Sequence, residues 1–415
     1  MSENKNQCRF CKEPLSRSFA DLGMSPLANS YVKEDQLHAM EPFFPLHAYV
    51  CESCLLVQLE EFDSAGADDI FSDYSYFSSF SESWLRHAKK YTELMISRFG
   101  IDETWQVMEI ASNDGYLLQY FKEQSVPVLG IEPAANVAKV AQDAGIPSVV
   151  KFFGVKTAQE LVDEGKKADL LLGNNVLAHV PDLNDFVAGE KILLNDGGII
   201  TMEFPHLLCL IESNQFDTIY HEHFSYYSFL TVEKVFAAHG LILFDVEELP
   251  THGGSLRIYG RHDNDDSKPV EARVDALKDK EIAAGLSEMT VYDNYAEKVK
   301  ETKRKLLEFL IQAKREGKRV VGYGAAAKGN TLLNYCGIRN DFLDYVVDLS
   351  PHKQNQYLPG TRVPIHAPDK IKETKPDYVL ILPWNLSKEI MSQMDYIREW
   401  GGKFVVPIPE ARVYE

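Results

Sequence analysis

The chain has 415 residues, 45% of them apolar, and 62 acidic against 43 basic side chains give a formal net charge of −19. That length calls for two or three domains, and a chain so acidic is poorly suited to bind nucleic acid or an anionic membrane through its field alone. No apolar run is long enough to span a bilayer and the polar residues 1–7 lack a signal-peptide core, so the expectation is a cytoplasmic protein whose six cysteines are not disulfides.

The first feature in chain order is a pair of CxxC knuckles, Cys8 with Cys11 and Cys51 with Cys54. Thiolates at this spacing can converge tetrahedrally on Zn2+ and close its coordination shell, which suits folding and not chemistry. A redox CxxC normally opens a helix and does not come in duplicate. His47 is a conceivable competing ligand, but four cysteines already satisfy the metal. Residues 71–80 form an aromatic run in which Phe71, Tyr74 and Tyr76 either line a pocket or build a hydrophobic lid. Ser81 or Ser83 is placed to cap a helix reaching residue 98, with Leu85, Ala88, Tyr91 and Leu94 at spacings of three.

Residues 107–133, VMEIASNDGYLLQYFKEQSVPVLGIEP, read as strand, tight loop, helix, strand. The second strand ends in Glu132, and an acid at that tip is the usual partner for the two hydroxyls of a ribose. The loop has one glycine, Gly115, instead of the three of a dinucleotide fingerprint, and Glu109 lies inside the first strand. These departures resemble the first motif of S-adenosylmethionine (SAM) methyltransferases, whose ligand carries no pyrophosphate and tolerates fewer glycines. An ordinary crossover without a ligand is the plain alternative.

The α/β alternation continues with a helix over 134–144, a strand at 149–150, a helix over 158–164 and a strand over 168–173. Asn174, Asn175 and His179 follow the carboxyl end of that last strand, where doubly wound sheets place their ligands. Residues 199–205 form another strand. Beyond it lies the densest polar cluster, Tyr220-His221-Glu222-His223. If extended, Tyr220 and Glu222 share one side; if helical, Tyr220 and His223 share a face. Either way a base and a phenol reach one small volume, whereas a zinc protease pattern is absent. A glycine loop, Thr251 to Gly254, then feeds a strand carrying Arg257, and residues 263–268 close the domain.

Residues 270–316 suggest a long amphipathic helix, with Val299, Leu306, Leu307, Leu310 and Ile311 on its apolar side. A second α/β unit opens at residue 319. Its strand, glycine turn at Gly324 and helix start present backbone N–H groups to a phosphate, with Lys328 as a point charge. Its next strand ends in Asp348, and the GxxxxGK[ST] spacing of a P-loop is not met.

Taken together, the two knuckles and the stretches EIASNDGYLL, GIEPA, GNNVLAHVPDL, YHEHFSYYS, THGGSLR and GYGAAAKGNTLL, in that order, resemble the C-methyltransferases of nucleotide-linked deoxysugars, typified by the 3-C-methyltransferases of tetronitrose and mycarose biosynthesis. The resemblance covers nearly the whole chain. It implies an α/β protein with a zinc-binding module (1–70), a central Rossmann-like SAM methyltransferase domain (71–268) and a Rossmann-like C-terminal domain (269–415) that helps hold the nucleotide sugar. It implies His223 as base, with Tyr220, Glu222, His179 and Tyr74 as its catalytic company. SAM would meet Glu109, Ala111, Asn113, Gly115, Glu132, Pro133, Asn174 and Asn175; the sugar nucleotide would meet Tyr76, Gly324, Lys328, Asn330 and Arg257. Carbon becomes nucleophilic only when an adjacent carbonyl acidifies its C–H, and a 4-keto sugar supplies that carbonyl to C3 and C5; the resemblance favours C3. The expected substrate is a dTDP- or GDP-linked 4-keto-6-deoxysugar, and the enzyme a monomer or homodimer. An NAD-dependent nucleotide-sugar oxidoreductase using residues 319–348 and a non-enzymatic zinc scaffold are the competing readings.

Overall fold

The structure is a computed structural model that describes residues 6–60 and 77–415. Its first sheet is antiparallel, built from β1 (Arg17–Ser25), β2 (Phe44–Val50) and β3 (Val57–Leu59). In β2, Leu46, Ala48 and Val50 are buried while Pro45, His47 and Tyr49 alternate outward, the period of two expected of a sheet with one covered face.

The long helix α1 (Glu82–Phe99) follows, capped by Ser81, whose hydroxyl accepts the Trp84 amide at 3.3 Å, and ended by Gly100 in the left-handed region (φ +67°). Next come β4 (Val107–Ile110), α2 (Leu118–Glu123), β5 (Val128–Ile131), α3 (Ala135–Asp143), β6 (Ser148–Val149), α4 (Val155–Asp163), β7 (Ala168–Asn174), α5 (Leu183–Leu193) and β8 (Leu194–Pro205). After α6 (Leu207–Glu212), β9 (Ser225–Tyr226) and α7 (Phe229–Ala238), the hairpin β10 (Leu241–Leu249) and β11 (Ser255–His262) completes a seven-stranded sheet of order β10-β11-β8-β7-β4-β5-β6. Strands β4 to β8 are parallel, and β11 runs antiparallel to β8. β4 is flanked by β5 on one side and β7 on the other. The chain order reverses there, which opens a crevice beyond the carboxyl ends of β4 and β7. Every residue of β4 and β5 is buried, as central parallel strands require.

β9 does not join that sheet. It pairs with β3 through Val57 and Tyr226, so a strand from the middle of the chain completes the N-terminal sheet. Helices α8 (Ala272–Ala283), α9 (Met289–Asp293) and α10 (Tyr295–Arg315) lead into the third unit. There β12 (Val320–Tyr323), α11 (Ala327–Cys336), β13 (Val346–Val347), β14 (Ile365–His366), α12 (Lys370–Thr374), β15 (Tyr378–Ile381), α13 (Ser387–Gln393), β16 (Lys403–Val406) and β17 (Arg412–Tyr414) form a sheet of order β14-β13-β12-β15-β16-β17.

The single helix expected over 270–316 is thus three helices. Gly285 breaks it at φ +86°, a conformation that side chains with a Cβ avoid. Only α10 carries the apolar stripe, through Val299, Leu306 and Leu310; Ile311, one residue and about 100° further round, is 39% exposed. That stripe packs with Phe19, Leu46 and Val50 of the first sheet, and Phe19 stacks on Tyr295 at 4.4 Å. The N-terminal and C-terminal units therefore share one core, which brings their loops over the crevice of the middle sheet.

Candidate active site

The crevice begins where β4 ends. Ala111, Asn113 and Gly115 all take positive φ, of +55°, +50° and +78°. The loop is pinned from outside, because the Asn113 side-chain oxygen accepts the Ser78 amide at 2.9 Å and Asp114 accepts the Ser79 amide at 3.1 Å. At Gly115 a Cβ would also press on Ile146 at 3.0 Å. Glu132 accepts the amides of Asn113 and Ala134, both at 2.9 Å, on either side of Pro133. Each of its oxygens keeps a second lone pair for a hydroxyl donor. Burial raises the Glu132 pKa, and it drives that of Glu109 well above the carboxylate range while the Tyr116 hydroxyl acts the other way. Asn174 donates to the Tyr116 hydroxyl at 3.3 Å. The buried Asp114 Oδ1 and Asn175 Oδ1 have no protein partner among the described residues. A crevice with a carboxylate at its ribose end and orphaned acceptors along it fits a polar adenosyl ligand with an amino group.

The second cluster forms where residues 220–223 turn, with the His223 amide bonded to the Tyr220 carbonyl at 2.8 Å. Tyr220 and His223 thereby share one face. His223 Nδ1 lies 3.0 Å from the Thr218 carbonyl oxygen, which can only accept, so Nδ1 carries the proton. Nε2 is then the bare nitrogen, and the Tyr220 hydroxyl donates to it at 2.7 Å. His179 meets His223 edge-on, with ring centroids 4.7 Å apart, and is bonded to the Glu222 backbone. Burial lowers the His179 pKa to about 4; it takes His223 well below its ordinary value too, reinforced by His179, Lys328 and His252. Both rings are neutral at pH 7. Glu222 stands away from the pair: Asn29 of the N-terminal unit donates to it at 2.7 Å, and burial raises its pKa. His221 points elsewhere, bonded to the Pro45 carbonyl at 3.1 Å.

Lys328 enters from α11. Its ammonium lies 4.9 Å over the Trp384 ring and donates to Asn385 at 3.2 Å; burial lowers its pKa. Trp384 donates to Asp217 at 2.7 Å, and burial raises Asp217 to about 7 against the pull of Lys328. Three other expected substrate contacts are placed differently. At Gly324 a Cβ would strike Pro383 at 2.4 Å, and its amide bonds the Val347 carbonyl at 2.7 Å, so this glycine serves a close backbone crossing. Asn330 is 1% exposed and donates to the Ala28 carbonyl at 2.5 Å, tying α11 to the N-terminal unit. Arg257 pairs with Glu203 at 3.0 Å and Glu247 at 3.1 Å and covers the Tyr91 ring, which leaves its guanidinium committed within the sheet. Tyr74 and Tyr76 lie outside the described residues.

Sequence reasoning missed Trp84, His87 and His252. Trp84 and His87 share the face of α1 turned to the crevice, where Trp84 stacks on His87 at 4.9 Å and on Tyr116 at 6.0 Å. The apolar stripe of that helix drew attention to Leu85 instead, although the three-residue spacing of Trp84 and His87 was there to be read. His252 follows the Thr251 position of the THGG loop and bonds Asn175 at 3.2 Å.

In the N-terminal unit, the sulfurs of Cys8, Cys11, Cys51 and Cys54 lie within 4.8 Å of one another. Four thiols gathered this closely are the donor set of a closed tetrahedral metal site. His47 is not among them; it bonds the Ser18 hydroxyl at 2.7 Å.

Residues 8–71 match a family model described as "Putative zinc binding domain", residues 84–245 one described as "Methyltransferase domain", and residues 250–409 one described as "C-methyltransferase C-terminal domain". C-methyltransferase NovU of Streptomyces niveus is 33% identical over 408 residues, covering 98% of this chain and 96% of that protein. The chain belongs to the C-methyltransferase family. It is a SAM-dependent C-methyltransferase, with the methyltransferase domain in the middle and the four-cysteine module in front. A ubiquinone biosynthesis O-methyltransferase of Chelativorans sp. (strain BNC1) is 27% identical over 99 residues, only 24% of the C-methyltransferase and 39% of that relative. Among solved structures, the PH0226 protein from Pyrococcus horikoshii OT3 overlaps 48% of the chain at 14% identity and TM-score 0.39, too little to carry an argument.

Proposed function

We propose that this C-methyltransferase acts on a dTDP- or GDP-linked 4-keto-6-deoxysugar and methylates C3 through an enolate formed by His223. The observation that carries the reading is the tautomer of His223: the Thr218 carbonyl holds the proton on Nδ1, which leaves Nε2 as a base in a half-buried cluster. Tyr220 occupies that lone pair in the free protein and yields it to the acceptor's C–H. Lys328 supplies positive charge on the C-terminal side, where a diphosphate would otherwise have to enter a protein of net charge −19. Glu132 and the loop from Ala111 to Gly115 would hold SAM, with Asn174 and Asn175 at the edge of the acceptor chamber. When bound, SAM supplies an electrophilic methyl group. Zn2+ on the four cysteines would organise the N-terminal unit and stay out of the chemistry.

Incubation with isotope-labelled SAM and a panel of 4-ketosugar nucleotides, followed by mass measurement of the product and location of the new methyl group, tests the proposal. Methyl transfer to C3 is the expected outcome; transfer to oxygen, to C5 or to no member of the panel would overturn it.

A further inference from the structure

His252 is the imidazole of the chamber whose placement costs most and whose N–H is least accounted for. Its backbone lies at φ +55° and ψ +17°. That left-handed conformation costs about 1–2 kcal/mol in a residue with a Cβ, less for asparagine and nothing for glycine. The surroundings enforce it: Gly253 and Gly254 follow with no room for a Cβ against Trp384 and Cys209, and Thr251 is bonded to Glu203 at 2.9 Å.

The hydrogen bonds of the three imidazoles distinguish them. His223 spends its N–H on Thr218, and His179 is bonded to the Glu222 backbone. His252 accepts the Asn175 amide N–H on Nε2, so its proton sits on Nδ1, and that N–H has no acceptor among the described residues. The Tyr220 hydroxyl is taken up by His223, and the Lys328 ammonium bonds Asn385 and lies over the Trp384 ring. His252 also stands at the junction of the two ligand regions. Asn175 links it to the carboxyl end of β7 beside the SAM crevice, Trp84 meets it edge-on at 5.3 Å, and the fields of Lys328 and His223 reach it from the acceptor side.

Building on the carbon-acid reading of the reaction, we propose that His252 is a catalytic residue whose Nδ1–H hydrogen-bonds the acceptor's carbonyl oxygen and stabilises the enolate. As His223 Nε2 takes the proton from carbon, the C–H electron pair becomes the C=C bond and the carbonyl π pair moves onto oxygen. The His252 proton stays on nitrogen throughout. Burial keeps the ring neutral, with a pKa near 4, and a neutral imidazole can donate to an oxyanion without surrendering its proton.

The test reads enolisation apart from methyl transfer. dTDP-4-keto-6-deoxyglucose and GDP-4-keto-6-deoxymannose are incubated in D2O with enzyme and S-adenosylhomocysteine, and deuterium uptake beside the carbonyl is followed by mass. H252F keeps a ring against Trp84 but has no donor; H252N keeps an amide N–H close to the Nδ1 position and suits the left-handed backbone. Exchange should fall about 10²-fold in H252F and be largely retained in H252N, with SAM affinity unchanged in both. A role in filling space predicts the reverse order. H252F exchanging like the wild type, or H252N failing as badly as H252F, would overturn the assignment. If H252F does not fold, retention by H252N supports it and loss by H252N overturns it. No exchange by the wild-type enzyme on either probe would bring down the carbon-acid reading itself, and this assignment with it.

Discussion

The crevice proposed for SAM and the cluster proposed for the acceptor are neighbours built in opposite ways. The crevice comes from one short stretch, in which β4, its loop and the tip of β5 lie within 26 residues of each other, and its key contacts are backbone amides to Glu132. The chamber is assembled from remote pieces: Asn29 on Glu222, His179 on His223, Thr331 on the Ile219 carbonyl, Trp384 on Asp217. A locally encoded site can be carried between proteins as a unit. An assembled one depends on all three units being folded, so the two should fail separately.

Loss of the metal should show this most strongly. Chelation, or Cys51→Ser, is expected to remove about 10 kcal/mol of support from the N-terminal unit. The chamber then loses Asn29 and activity, while calorimetry should still detect SAM binding in the crevice; coupled loss of both would show that the two are not independent. His223→Asn should lower turnover about 10³-fold and leave SAM affinity intact, measured by initial rates and calorimetry.

pH probes the wall between them. His206 holds Glu281 at 2.7 Å, both nearly inaccessible, and its own amide bonds Gly254 beneath His252. Burial lowers the His206 pKa, but the Cys209 thiol and the Glu281 carboxylate outweigh it and raise the pKa to about 9. The folded value exceeds the unfolded one, so the stabilisation is complete below about pH 6.5 and disappears as pH rises through 9. Thermal unfolding should record a loss of about 3 kcal/mol across that window, absent in His206→Gln. The smallest effect belongs to the crevice. Glu132→Gln should weaken SAM by about 2 kcal/mol, one charge-assisted hydrogen bond's worth, with deuterium exchange in the acceptor unaffected.

The elements of the middle domain were legible because they are short-range. Strand, turn residues and helix follow one another within Val107 to Lys122, although the loop is pinned from outside by Ser78, Ser79 and Glu132, and the helix capped by Ser81 starts where its hydroxyl can accept an amide. Pairing Tyr220 with His223 was legible as one of two options, and the turn selected it. The C-terminal unit was harder to read. Its glycine turn suggested a phosphate cradle, whereas Pro383, from a loop nearly sixty residues on, fills the space against Gly324. Arg257 looked free in THGGSLR because nothing in the sequence tells that Glu203 and Glu247 lie beside it across the sheet.

By itself the amino-acid sequence determined the features that periodicity and local backbone preference dictate: the alternating strands and helices, the knuckle thiols, the crevice loop and the kinds of side chain available for proton transfer. The tertiary structure decided which of those side chains meet. Strand order, the crossing of β9 to the first sheet and the shared core under α10 set distances between residues hundreds of positions apart. A ring's protonation state and free nitrogen depend on such neighbours, because burial and hydrogen-bond partners act over a few ångströms of space whatever the separation along the chain.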